Sequence, residues 1–160
     1  MVNYHLLTGK IKTLSGNEKI AKTLGYAGLI PFITFSIGSW IEIPYLYNTV
    51  YVLITYAAII LSFMGAIHWG MAMSKTDSKH GKCFIISVIP ALAAWFSLLI
   101  PEFFSLIILL IGFFLLLSFD LTVEKSQGFP GWYIPMRIKL TFIVSLSLIS
   151  ALLSFFNDGL

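Results

Sequence analysis

Apolar residues run along this chain in five long blocks separated by short polar stretches, without the strict alternation that marks strands. The blocks are Ala21–Ile41, Thr49–Met73, Cys83–Ile100, Phe103–Phe119 and Met136–Phe156. A helix that crosses the hydrocarbon core needs about 20 predominantly apolar residues, within a range of roughly 17–25, and each block is of that order. Backbone groups in hydrocarbon must be satisfied within the protein, which leaves helices and closed barrels. A barrel would require short alternating segments. The pattern predicts an all-α membrane protein, with a basic arm over residues 1–19 and a single five-transmembrane-helix bundle over residues 20–157.

Punctuation inside the blocks refines this picture. Ser15 and Glu18 stand three apart, as in a capping box, and predict a helix start just before the first block. Pro31 cannot donate to the carbonyl of Ala27, so a kink is expected there; Pro90 should likewise free the carbonyl of Ile86. Ala58, Ser62 and Gly65 form a stripe of small residues at helical spacing, suited to close approach of another helix. The fourth block is almost wholly Leu, Ile and Phe, with Gly112 the main exception, and is expected to have the largest lipid-exposed perimeter. Phe129-Pro130-Gly131-Trp132-Tyr133 predicts an ordered turn at headgroup level, and Ser147, Ser150, Ala151 and Ser154 give the last helix a packing face.

Charge orients the bundle. All ten Lys and Arg residues (Lys10, Lys12, Lys19, Lys22, Lys75, Lys79, Lys82, Lys125, Arg137 and Lys139) fall on one side of a five-span reading. Glu42, Glu102 and Asp158 are the charges on the other. Basic loops stay in the cytoplasm, which predicts a cytoplasmic amino terminus and an outside carboxyl terminus. With 58% hydrophobic and 11% charged residues, the chain has too little polar surface for a water-soluble globule. Its basic residues therefore point to anionic lipid headgroups as partner and not to nucleic acid. The first residues lack a signal peptide's apolar core, so the first span is expected to be an uncleaved anchor.

Candidate chemistry is sparse. His68 is the one ionisable residue clearly inside a block, six residues from Ser74, or roughly 9 Å deep at the rise of a helix. Pro31 and Pro90 fall in the same half of the bilayer, which outlines a cavity between the first three helices with His68 and Trp69 beside it and Asp120 and Arg137 at its mouth. The bland reading makes His68 a brace that satisfies a buried carbonyl; the sharper one makes it an anchor for a ligand or a proton. Asp120 and Arg137 are read as a structural ion pair before a gating or substrate role. One cysteine, Cys83, and no carboxylate cluster give no metal site, and no cofactor is predicted, haem ligation by His68 being the last reading considered. No nucleophile–base pair or phosphate loop points to a catalytic residue.

Two stretches resemble the signature of a known membrane family. Leu24-Gly25-Tyr26-Ala27-Gly28-Leu29-Ile30-Pro31-Phe32 and Leu61-Ser62-Phe63-Met64-Gly65-Ala66-Ile67-His68-Trp69-Gly70 are similar to the family catalogued as domain of unknown function 3429, which includes the mitochondrial transmembrane protein 69 of animals. Ser87–Ala91 and Arg137–Thr141 fit the same pattern, whereas Ala66 stands where relatives often have glycine. The resemblance implies a bacterial inner membrane, or alternatively a mitochondrial inner membrane, and carries over no site residue.

The function expected from these features is that of a small inner-membrane protein without evident catalytic chemistry, acting as a partner-binding, accessory or assembly component or as a homo-oligomer. The alternative is a binder or carrier of a small hydrophobic ligand in a cytoplasmic-half cavity around His68; an intramembrane enzyme comes third. The orientation can be tested directly. Cysteine at position 79 (Lys79→Cys) should be labelled only from the cytoplasmic side, and at position 158 (Asp158→Cys) only from outside. Labelling of both from one side would require an even number of spans.

Overall fold

A computed structural model describes residues 4–41, 48–74, 81–127 and 129–157, with side chains over 16–41, 48–74, 83–123 and 129–157. Among the described residues the chain forms six helical segments and no strand: α1 (Tyr4–Ala27), α2 (Leu29–Gly38), α3 (Thr49–Met73), α4 (Gly81–Ser97), α5 (Glu102–Gln127) and α6 (Tyr133–Asn157). Four stretches are long and apolar enough to cross a membrane: Gly16–Gly38, Thr49–Met73, Glu102–Val123 and Tyr133–Asn157. The apolar part of α4, Cys83–Ser97, is shorter.

α1 and α2 are one rod interrupted at Gly28. Pro31 offers no N–H to the carbonyl of Ala27 and crowds it, so the helix lapses there for a single residue. The Gly28 N–H still donates to Leu24 at 3.0 Å, and the Tyr56 hydroxyl of α3 donates to the Gly28 carbonyl at 3.0 Å. The interruption thereby ties the rod to its neighbour.

Helix ends follow local chemistry where a cap exists and depart from the apolar blocks where it does not. α3 begins at Thr49 because the Asn48 side chain accepts from the N–H groups of Val50 (3.1 Å) and Tyr51 (3.3 Å). α1, by contrast, begins far ahead of Ser15. Glu18 therefore sits within the helix, where it pairs with Lys22 one turn on at 2.6 Å instead of closing a capping box. α5 continues to Gln127, well past the end expected at Phe119, so Asp120 is an interior residue of that helix. α6 starts at Tyr133 and holds Pro135 in its first turn, where a missing donor is harmless. Glu42, Tyr45, Tyr47, Lys75, Lys79, His80 and Asp158 lie outside the described residues.

α2, α3, α4, α5 and α6 form a closed ring in which each packs on the next and α6 returns to α2, while α3 and α5 also meet across it. Phe32, Leu53, Leu61, Leu109, Phe113 and Leu148 fill the middle. In lipid, the tails are as apolar as leucine, so helices associate through close packing and polar contacts rather than through escape from water. Two glycines show where that packing is tightest. A Cβ on Gly65 would come within 2.8 Å of the Ser87 carbonyl oxygen and 3.0 Å of the Pro90 ring, so α3 and α4 meet nearly backbone to backbone.

A Cβ on Gly112 would come within 2.7 Å of Leu61 Cδ2. The helix expected to expose most of its perimeter to lipid thus packs inward at Gly112: α5 buries Leu106, Leu109, Phe113 and Leu116 on one stripe, with Gly112 beside it. The least buried of the four long stretches is the first, Gly16–Gly38.

Gly65→Leu should therefore lower stability by about 1–3 kcal/mol or more, because the obstacle is the backbone and ring of α4, which cannot step aside. Gly112→Ala should cost less, since a Leu61 methyl can rotate away. Thermal unfolding of both variants and the parent in one detergent measures the order, and a Gly65→Leu protein as stable as the parent would refute close packing there.

Candidate functional site

Three helices bring their ionisable side chains to one buried point. His68 comes from the last two turns of α3, Asp120 from about two turns before the end of α5 and Arg137 from the second turn of α6. His68 Nε2 lies 2.8 Å from Asp120 Oδ1, and Arg137 Nε donates to Asp120 Oδ2 at 2.8 Å. Arg137 Nη1 also donates to Met64 Sδ, one turn before His68, at 2.8 Å. The three side chains are 0%, 1% and 3% exposed. A single carboxylate thus bridges an imidazole and a guanidinium in a place closed to water.

Aromatic rings close the site. Phe119 and Phe129 meet the His68 ring edge-on at 4.9 and 6.1 Å, and Phe129 stacks on Tyr133 at 4.5 Å. The turn between α5 and α6, held by the Tyr133 N–H donating to the Pro130 carbonyl at 2.9 Å, therefore lies over the cluster as well as near the bundle end. Low dielectric strengthens the Asp120–Arg137 attraction and equally raises the cost of either charge alone.

Other residues singled out in the sequence lie elsewhere. Pro90 packs against Gly65 at the α3–α4 seam, and Pro31 marks the α1–α2 interruption; neither lines the space beside the cluster. Trp69 turns away from His68 and meets Phe84 of α4 edge-on at 5.0 Å. Ala58 is buried, and the Ser62 hydroxyl donates to the Ala58 carbonyl at 2.8 Å, within its own helix. Among the described residues, no three His, Cys, Asp or Glu side chains gather as a metal-binding group.

A cavity of about 370 Å³ adjoins the cluster. It lies between the α1–α2 rod, α3 and α6, with Phe113 of α5 at its side, and not between the first three spans as the two prolines suggested. Its walls are almost entirely apolar, including Phe32, Phe63 and Leu140; Arg137 and Thr141 bring charge and hydroxyl to it. Trp132, expected to be an interfacial belt residue, also lines it. Thr141 escaped the sequence reading, although it stands one helical turn beyond Arg137 on the same face.

Removing one member of the ion pair should be costly. Asp120→Asn leaves the Arg137 guanidinium uncompensated and is expected to lose about 3–5 kcal/mol, whereas the double change Asp120→Leu with Arg137→Leu should recover most of it. Denaturant titration in mixed micelles reads both values. A single variant within about 1 kcal/mol of the parent would show that the pair does not hold these helices.

Residues 17–153 match a family described as a protein of unknown function, DUF3429. The chain is also 30% identical over 153 residues to the transmembrane protein 69 of Xenopus tropicalis, an alignment that takes in 93% of this chain and 60% of that protein. The chain thus spans less than two thirds of that relative's length. No solved structure matches. The family match includes His68, Asp120, Arg137 and Thr141 and most of all the helices around them, and the chain belongs to the DUF3429 family.

Proposed function

We propose that this protein is a five-span membrane protein that binds a small hydrophobic molecule inside its helical bundle. The observation that carries the reading is the cavity of about 370 Å³ between the α1–α2 rod, α3 and α6, apolar almost throughout and flanked by a buried charged cluster. Ligand sites are of this kind: roughly 300–1,000 Å³, mostly apolar, with a few fixed polar groups. Charged residues within membrane helices mark such sites more often than they mark bare scaffolding.

The competing role as a partner-binding or assembly component rested on small-residue helix faces. Those faces are occupied within the chain: Gly65 is against α4, and Ser147, Ala151 and Ser154 of α6 are buried. The ligand reading gains by comparison. α4 is taken as the fifth span, since its 17 residues extend about 25 Å at 1.5 Å each. The distribution of basic residues supports an amino terminus in the cytoplasm of a bacterium, or in the matrix if the membrane is the mitochondrial inner one.

Filling the space tests the idea. Ile60 lines the cavity, and Ile60→Trp should expel whatever the protein carries while its thermal stability stays the same or rises. Protein drawn from its native membrane directly into polymer nanodiscs would be extracted and its small molecules identified by mass spectrometry. A compound enriched over bulk lipid with the parent and lost with Ile60→Trp is the expected result. Identical small-molecule profiles for the two proteins would sink the proposal.

A further inference from the structure

The walls of the cavity are not equally covered. At its back, Phe32 of α2, Phe113 of α5 and Leu140 and Val144 of α6 are buried. Its other side is formed by α1 and α3, and there Leu24 and Phe63 are 67% and 63% exposed. A cavity whose lining is buried on one side and exposed on the other has its mouth on the exposed side. The helix contacts agree. α1 leans on α6, where a Cβ on Gly25 would meet Met136 and Leu140 at 3.4 Å. Among the described residues it makes almost no contact with α3. The mouth is thus the seam between α1 and α3, and both helices contribute to stretches long and apolar enough to cross a membrane. In a bilayer that seam faces hydrocarbon, not water.

Depth and chemistry together say what comes through it. Along α6 the lining runs from Tyr133 to Val144, roughly 16 Å at the rise of a helix. The hydrocarbon of one leaflet is about 15 Å deep, half of the core. Trp132, of a residue type that favours the headgroup boundary, stands at the shallow end. The deep end, by Phe32, Phe113 and Val144, is apolar. Water does not fill so apolar a space, and an empty one forfeits the packing contacts of its walls. The material at hand beside Leu24 and Phe63 is acyl chain. A hydrocarbon chain adds no charge, so it can lie beside the cluster of His68, Asp120 and Arg137 whether or not His68 is protonated.

We infer that the ligand of this cavity is one acyl chain of a diacyl bilayer lipid, which enters sideways between α1 and α3 while the headgroup and the second chain stay in the leaflet outside. This deepens the cavity reading above and rests on it.

The full-length chain is placed in nanodiscs containing a phosphatidylcholine that carries a diazirine near the tail of one chain. After irradiation, adducts are located by peptide mass spectrometry. Phe113 and Val144, 1% and 4% exposed and so out of reach of lipid at the bundle surface, should be labelled. Ile60→Trp, which fills the space, and Leu24→Trp, which narrows the seam at an exposed position, should each reduce that labelling about tenfold. Adducts on Ile85 and Leu92, exposed on α4, should not change. Leu24→Trp needs no repacking, so the test stands even if Ile60→Trp does not fold. Undiminished labelling of Phe113 and Val144 in Leu24→Trp would overturn the route between α1 and α3. A lipid that labels α4 alone, while the compact free hydrophobe adamantyl diazirine labels Phe113 and Val144, would overturn the acyl chain and leave the cavity reading intact. Failure of both probes to reach Phe113 and Val144 would bring down the cavity reading as well.

Discussion

The Asp120 carboxylate decides how this bundle is put together. One of its oxygens faces His68 of α3 and the other accepts from Arg137 of α6, each at 2.8 Å. Neither charge can remain alone at this depth, so three helices are obliged to present one residue each to a common point. That fixes their rotation about their own axes and their relative height. Packing of leucine against leucine does not, since lipid offers the same contacts. The cluster need not be more stabilising than three well-fitted apolar side chains. Its contribution is the large penalty on every arrangement that separates its members.

The rest of the molecule follows from that constraint. With α3, α5 and α6 locked at one end, α4 closes the ring by pressing Ser87 and Pro90 onto Gly65. The α1–α2 rod is held differently. It meets α3 and α6 mainly through α2, while α1 touches its neighbours sparsely. The interruption before Pro31 lets Tyr56 take the Gly28 carbonyl. A rod seated firmly along one half and loosely along the other leaves space against α3 and α6, and the cavity lies there. The charged cluster and the cavity are therefore adjacent.

Much of the fold was legible because hydropathy reports helix length directly, and the second apolar block coincides with α3 at both ends. Where sequence reasoning failed, a local signal was outvoted by context. Asp120 resembled a helix-end anchor, but its two partners allow it to sit inside α5, which runs on to Gln127. Ser15 and Glu18 resembled a cap, but the helix around them carries on. The inward packing of Gly112 was not visible because an all-apolar helix looks alike on every side, and hydropathy cannot tell a neighbour's leucine from an acyl chain. The charged residues of the site stood out for the opposite reason, being rare in such surroundings. Thr141 and Ser145 did not, since a hydroxyl in a membrane helix ordinarily bonds to its own backbone and carries no message. Their spacing from Arg137 was visible in the sequence; that they forgo the backbone bond was not.

The two kinds of polar group in this bundle are consequently informative in different ways. His68, Asp120 and two of the three Arg137 nitrogens are engaged with one another or with Met64, and they define the architecture. Arg137 Nη2 and the two hydroxyls beyond it are buried without being engaged. Arg137 belongs to both sets. Its Nε faces the carboxylate that pins the helices, while the residue also borders the cavity. The same pairing that sets the helix register thereby also fixes a charged side chain beside the cavity.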